Sequence, residues 1–455
     1  VPVPLPVLRC LIRMGIAQRL PSIRRFLGEG VHFLHYLSDA VLAAPNSEIA
    51  SLDSLLVKQH SSCIDLSIGT PNPAGLQMHL EPIVSGFGDI EKHLFSGYPP
   101  ASGIPELRQT FSNQLKHDQQ LDYDPEKELL ITNGVCQSIT TALETFINRG
   151  DKVVLFDPSF MFYQYAVRCQ GARVNWVPTF RIDGELFFED IALKKAMRGA
   201  SIIIINHPSN PTGGYFSDHS LQKIVYWAKR FDSLIFSDEV YHRFLYNGRK
   251  FHSIAAIPEA RTRTLIANSL SKSYSMAGLR VGYLASNENL IRPLKSQQFL
   301  RVPFVSSLSQ HLAIQCIENA DPNLLIDHNE LNRNRLQTYQ CLQEMGLHED
   351  LPAGAFYFWI DIGNFCSDAM TFCHNLLDEN QLLVMPGTDF GPSGKTHVRI
   401  SYSTDNHTLT RGLDRLSQFL IARDRPADSE ISRRDTRHLP EAHPIRRMVG
   451  SPTGN

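Results

Sequence analysis

The sequence predicts an α/β protein: a large domain on a parallel sheet covered by helices, followed by a smaller α+β unit. Three observations carry this expectation. From about residue 98, short apolar runs alternate with helix-length segments. The runs are apolar on both faces, as strands are when helices cover a sheet from both sides. Past a helical stretch at 328–345 the pattern changes, with fewer strands and longer amphipathic segments.

The elements follow in order. ELLITNG (128–134) reads as a strand, CQSITTALETFIN (136–148) as a helix and KVVLF (152–156) as the next strand. RVNWVP, SIIIIN, SLIFSD, TLIANS and RVGYLAS continue the strands, and LQKIVYWAKRF supplies a helix between them. The longest purely aliphatic run, Ile202 to Ile205, falls far short of the roughly 20 apolar residues that cross a bilayer, and so reads as a buried strand. In the smaller unit AFYFWIDI and VRISYS are strands, while SDAMTFCHNLLDEN and LTRGLDRLSQFLI are helices.

Composition narrows the function. The 455 residues carry 44 Lys+Arg against 46 Asp+Glu, a net charge of −2, so no global field gathers nucleic acid. A hydrophobic share of 42% with 20% charged residues excludes a disordered chain. The 8 cysteines are scattered without a CxxC pair, which predicts neither a zinc site nor a disulfide framework and suits a reducing, cytoplasmic setting. No metal site is expected.

The two ends differ from the body. Arg9, Arg13, Arg19, Arg24 and Arg25 precede the first acidic residue, Glu29, and sit among apolar residues, as in a targeting helix or an accessory interface helix. Beyond residue 423 the chain is rich in Arg, Pro and small polar residues and reads as a flexible tail. The expected division is an N-terminal extension at 1–60, a first part of the small domain at 61–97, the large domain at 98–325, the rest of the small domain at 326–423 and the tail at 424–455.

Loops after strand ends gather into a crevice in such sheets, and three of them carry candidate chemistry. SIIIIN runs into Asn206-His207-Pro208-Ser209-Asn210-Pro211-Thr212-Gly213, either a structural turn or a ligand loop presenting two asparagines. SLIFSD continues to Asp238 and Tyr241. This carboxylate can hold a proton on a heterocyclic nitrogen and the phenol can donate to a ring oxygen, or the pair is a helix cap and a packed tyrosine. TLIANS leads into SLSKSYSMAGLR, where Lys272 can form a Schiff base and Arg280 with the serines can bind phosphate, or the lysine is merely solvated.

Taken together, these motifs resemble the fold-type-I pyridoxal-phosphate enzymes of the class I/II aminotransferase family, aspartate-aminotransferase-like, over roughly residues 61 to 423. The resemblance implies a large domain with a mostly parallel, mixed central sheet and a smaller α+β domain. It places Lys272 at the Schiff-base lysine, and Ser269 and Arg280 at the cofactor phosphate. Asp238 falls at the pyridine-nitrogen carboxylate, Tyr241 at the phenol on the ring oxygen, and Asn210 at the residue between that oxygen and the substrate carboxylate. Arg399 falls at the carboxylate-binding arginine, and Gly69 at a backbone position near the substrate. Tyr98 in YPPASGIPELR matches the tyrosine that reaches a neighbouring subunit's phosphate, which implies a homodimer.

Two positions depart from the commoner pattern. Gly134, Val135 and Cys136 in TNGVC occupy the phosphate-cradling helix start, with a thiol where polar side chains are usual. Phe160 in DPSFMFY occupies the ring-stacking position and offers a π face without a polar handle. The resemblance implies pyridoxal 5'-phosphate as cofactor and ping-pong transfer of an amino group from an amino acid to a 2-oxo acid, in amino acid metabolism and biosynthesis. A lyase, cyclase or decarboxylase on the same cofactor, or a catalytically idle binding protein, are the alternatives.

Overall fold

The structure is a computed structural model that describes residues 62–71, 96–319, 326–347 and 349–423. The expected N-terminal extension, most of the 61–97 segment and the expected tail lie outside the described residues. The chain enters with β1 (Ile64–Asp65), and the large sheet then collects eight strands. These are β2 (Leu129–Thr132), β3 (Lys152–Asp157), β4 (Arg173–Ile182), β5 (Glu185–Phe188), β6 (Ile202–Asn206), β7 (Leu234–Asp238), β8 (Thr264–Ser269) and β9 (Gly282–Ala285).

Their spatial order is β2-β9-β8-β7-β6-β3-β4-β5. The five strands from β8 to β4 run parallel, whereas β9 is antiparallel to both neighbours and β5 folds back on β4. RVGYLAS, read with the parallel strands, is therefore an exception within the mixed sheet. Its reversal has a simple cause. Residues 270–281 form only short helical turns, with no crossover helix to carry the chain back across the sheet, so β9 starts where β8 ends.

Helices α1 (Pro105–Gln119), α2 (Val135–Phe146), α3 (Met161–Cys169), α4 (Asp190–Met197) and α5 (Asp218–Arg230) alternate with the strands. A single turn, α6 (Leu270–Ser273), follows β8, and α7 (Glu288–Arg301) and α8 (Ser307–Asn319) follow β9. The sheet is apolar on both faces because both are covered. Ile202 and Ile204 of β6 join one core, and Ile203 and Ile205 join a second core with Leu193 and Val225 on the other face. Each buried isoleucine contributes roughly 1.5–3 kcal/mol of transfer free energy, which makes β6 a fixed platform for the loop behind it.

The smaller unit contains α9 (His328–Glu344), β10 (Tyr357–Asp361), α10 (Ala369–Asn380), β11 (Leu382–Leu383), β12 (Met385–Pro386), β13 (His397–Ser401) and α11 (Asn406–Arg423). Strands β10, β13 and β12 form an antiparallel sheet, and β1 pairs in parallel with β11. Backbone bonds from Leu66 N–H to Leu383 O at 2.9 Å and from Ser401 N–H to Leu66 O at 2.8 Å fasten residues 64–67 to this unit. That attachment brings Ser67, Ile68 and Gly69 up against the large sheet.

Candidate active site

Strand register sets the site. Asn206 lies opposite Asp238 and Asp238 opposite Ala267, so β6, β7 and β8 release their chains along one edge. A cavity of about 320 Å³ opens between that edge and the segment at 67–69 with β12 and β13. Lys272, Asp238, Tyr241, Asn210 and Arg399 all line it.

Lys272 sits on α6, one turn past β8, with Ser269 as the cap whose Oγ accepts from Ser271 N–H at 3.3 Å. Its Nζ donates to the Gly69 carbonyl. Burial pulls the ammonium down from 10.5 to about 8, Arg399 adds to the shift, and Cys136 and Asp238 oppose it. An amine poised near neutrality serves as a nucleophile and as a proton carrier.

Asp238 ends β7 fully enclosed. The Tyr163 hydroxyl donates to its Oδ2 at 2.6 Å and Val240 N–H reaches Oδ1 at 3.3 Å. Burial still raises the carboxyl to about 6, against these donors and Lys272. Its surroundings leave the charge under-compensated, which is the environment that a protonated ring nitrogen completes.

Tyr241 follows one turn later and shares a 2.8 Å hydrogen bond with the hydroxyl of Tyr357 from β10. Burial pushes the Tyr241 phenol well above its ordinary range, with Tyr357 adding to the rise. Across the cavity, Arg399 on β13 donates from Nη1 to Asn210 Oδ1 at 2.9 Å and from Nη2 to Ser67 O. Its guanidinium lies 4.5 Å from the Tyr357 ring centroid, and its buried Nε has no hydrogen-bond partner among the described residues. An unpaired buried cationic donor is costly unless a ligand anion meets it. Asn210 is oriented in turn by its N–H, which donates to Asn206 Oδ1 at 2.7 Å.

The start of α2 forms another corner of the cavity. Gly134 caps that helix at φ +78°, and a Cβ there would run into the Arg280 guanidinium. Val135 and Cys136 line the cavity in the first turn, where backbone N–H groups have no intrahelical acceptor and the helix dipole favours an anion. Arg280, at φ +55°, donates to Asn133 O at 3.0 Å and to Ala277 O at 3.1 Å, which fixes it beside that turn. Gly282, the cross-strand partner of Ser269, packs against Gly134 and draws the serine to the same corner.

The structure thus gathers Lys272, Asp238, Tyr241, Asn210, Ser269 and Arg280 on one cavity. Val135, Cys136, Phe160, Gly69 and Arg399 line it too, while Gly134 lies just behind the wall. Tyr98 stands apart: it is 87% exposed and stacks on Phe304 at 4.8 Å. Sequence reasoning missed Tyr163, Tyr357 and Ser271, which also line the cavity. A signal existed for Tyr163, one helical turn after Phe160 in DPSFMFY. A larger cavity of about 720 Å³ around Asp118, Arg243 and His252 holds none of the candidate residues, and its Arg243 is ion-paired to Asp118. Among the described residues the cysteines are unpaired, no cluster of three or more His, Cys, Asp or Glu fits a metal, and no helix is long and apolar enough to cross a membrane.

Fold and cavity together define a type-I α/β architecture in which an amine, a buried carboxylate and an arginine with an unpaired donor meet at one strand edge. The profile of aminotransferase class I and II matches residues 61–416, and the chain belongs to that family. It is an aminotransferase, in a family that works with pyridoxal 5'-phosphate. A probable N-acetyl-LL-diaminopimelate aminotransferase of Bacillus subtilis is 31% identical over 81% of this chain and 92% of its own. An aromatic-amino-acid aminotransferase of Thermococcus litoralis is 31% identical over 84% and 98%. The crystal structure of an aspartate aminotransferase from Thermotoga maritima superposes with a TM-score of 0.76 at 28% identity, covering 85% of this chain and all (100%) of that one. These relatives give no support to the lyase, cyclase, decarboxylase or idle-protein alternatives.

Proposed function

We propose that this chain moves an amino group from an amino acid to a 2-oxo acid in two ping-pong half-reactions on pyridoxal 5'-phosphate. The observation that carries the reading is the convergence on one cavity of Lys272, its amine lowered toward neutrality, with the buried Asp238 and the buried Arg399, whose Nε has no partner among the described residues. Lys272 is the covalent anchor. Asp238 would hold the ring nitrogen, Tyr241 and Asn210 the ring oxygen, and Phe160 would supply the stacking face. Ser269, Arg280 and the turn Gly134-Val135-Cys136 hold the phosphate, and Tyr98 from a second copy completes that corner. When bound, the cofactor supplies an electron sink for the pair left at the substrate Cα.

The chain does the rest. Arg399 takes the α-carboxylate through its unpaired Nε and its Nη atoms, with Asn210 holding the guanidinium plane, and this turns the Cα–H bond toward Lys272. Once an amino substrate has replaced it on the cofactor, the freed Lys272 amine, with its pKa lowered to about 8, would be the base that takes and returns the Cα proton. Asp238, oriented by the Tyr163 hydroxyl, would be the partner that keeps a ring nitrogen protonated.

The large domain is residues 98–325, and the small domain is 61–97 together with 326–423, flanked by the extension and the tail. The enzyme works as a cytoplasmic homodimer. Exposed apolar surface around Tyr98, including Phe299 and Leu300, supports self-association on that side. The test is a donor-only assay. Transfer predicts release of one oxo acid per site followed by arrest, with turnover restored by a 2-oxo acid; sustained turnover without an acceptor overturns the reading.

A further inference from the structure

The substrate's position follows from two backbone carbonyls on one short segment. Ser67 O accepts from Arg399, and Gly69 O accepts from the Lys272 amine. A donor whose carboxylate meets Arg399 and whose Cα faces Lys272 therefore lies across the residue between them, Ile68. This side chain lines the cavity and is 57% exposed, so its apolar surface is open to whatever enters. Met385 is the second apolar wall. It pairs directly with Arg399 between β12 and β13, so its side chain lies on the same face as the guanidinium.

Each charge of the cavity already has a part in the reading above. Among the described residues its charged lining groups are Asp238, Lys272, Arg280 and Arg399. Arg280 is turned onto the Asn133 and Ala277 carbonyls, and Asp238 is bound by Tyr163. The one orphaned donor, Arg399 Nε, is used by the α-carboxylate. Among the described residues of one chain, no further cation stands beside Ile68 and Met385 to repay the water that a second carboxylate would lose there. A thioether beside a branched aliphatic group instead offers an adaptable apolar shelf.

Resting on the aminotransferase reading above, we infer that the preferred amino donor carries a bulky, uncharged apolar side chain, branched, thioether or aromatic, which packs on Ile68 and Met385. The experiment measures kcat/KM of the holoenzyme for leucine, methionine and phenylalanine against aspartate, glutamate and alanine, with one fixed 2-oxo acid. The inference expects the apolar donors to lead the dicarboxylates by about tenfold to two-hundredfold. It also expects Ile68→Ala and Met385→Ala each to lower kcat/KM for the apolar donors more than for alanine, and Met385→Lys to narrow the gap to aspartate. Aspartate or glutamate as the leading donor overturns it, as does an equal loss for all donors in both alanine variants. If no amino acid releases an oxo acid, the aminotransferase reading itself falls, a result distinct from turnover led by a dicarboxylate.

Discussion

The Tyr163 hydroxyl donates to Asp238 Oδ2 across 2.6 Å and joins α3 to the end of β7 inside the site. The bond stabilises the ionised carboxylate, whose pKa burial has already raised to about 6. Removing the donor in Tyr163→Phe raises it further, so less Asp238 is ionised near neutrality. The expected outcome is an acid limb of the kcat/KM profile displaced to higher pH and a kcat lower by about tenfold, from a charge-assisted bond of about 1.5–3 kcal/mol. A pH–rate profile of the variant that overlays the wild type would remove Tyr163 from this role.

Glu239 is next in sequence and faces a different environment. Its Oε1 accepts from Ser237 at 2.8 Å and Ser253 at 2.6 Å, while the buried Oε2 has no partner among the described residues. Burial, with Asp238 adding, lifts this carboxyl from 4.5 to about 7 despite the two serines. Between those values the folded chain binds more protons than the unfolded chain, so stability falls as pH rises through the window and the full penalty is present above it. Glu239→Gln removes that titration and keeps both serine donors. Denaturant titrations at about pH 5 and about pH 8 are expected to differ by on the order of 3 kcal/mol less in the variant than in the wild type.

Much of this was legible in the sequence, for identifiable reasons. β6, β7 and β8 announce themselves as apolar runs ending in polar loops, and those loops carry Asn210, Asp238 and Lys272. The reversal of β9 was not legible, because an apolar run buried on both faces reads alike in either direction. Tyr357 was hidden for a related reason. It lies within the apolar and aromatic run AFYFWI, and only the approach of β10 to Tyr241 gives its hydroxyl a partner. Tyr163 stands one turn beyond Phe160, and nothing in the run DPSFMFY shows that its hydroxyl meets the Asp238 carboxylate.

Gly69 and Tyr357 form a steric pair. A Cβ at Gly69 would overlap the Tyr357 hydroxyl and crowd the ring behind it. Gly69→Ala is therefore expected to displace the segment that carries Ser67 and Ile68 and to raise KM for the donor. Adding Tyr357→Phe removes the overlapping oxygen, so the double variant should recover part of the loss. Additive kinetic losses in the double-mutant cycle would contradict the pairing.

Tyr98 gives the proposed homodimer a functional test. Its ring is 87% exposed in a single chain and lines no part of that chain's own cavity. If it serves the neighbouring site, Tyr98→Ala and Lys272→Ala are each severely impaired alone, yet a mixed dimer contains one intact site. Co-refolded subunits are then expected to recover roughly a quarter of wild-type turnover, from statistical pairing about a two-fold axis. No recovery above the separate variants would place Tyr98 outside the active site.

The central claim is that Lys272 is the covalent anchor of the cofactor. Borohydride treatment of the protein loaded with pyridoxal 5'-phosphate, followed by peptide mass spectrometry, tests it most directly. The account predicts one phosphopyridoxyl group per chain, on the peptide containing Lys272, and none on the Lys272→Ala variant. A label on another lysine, or no stable label on the wild type, would contradict it.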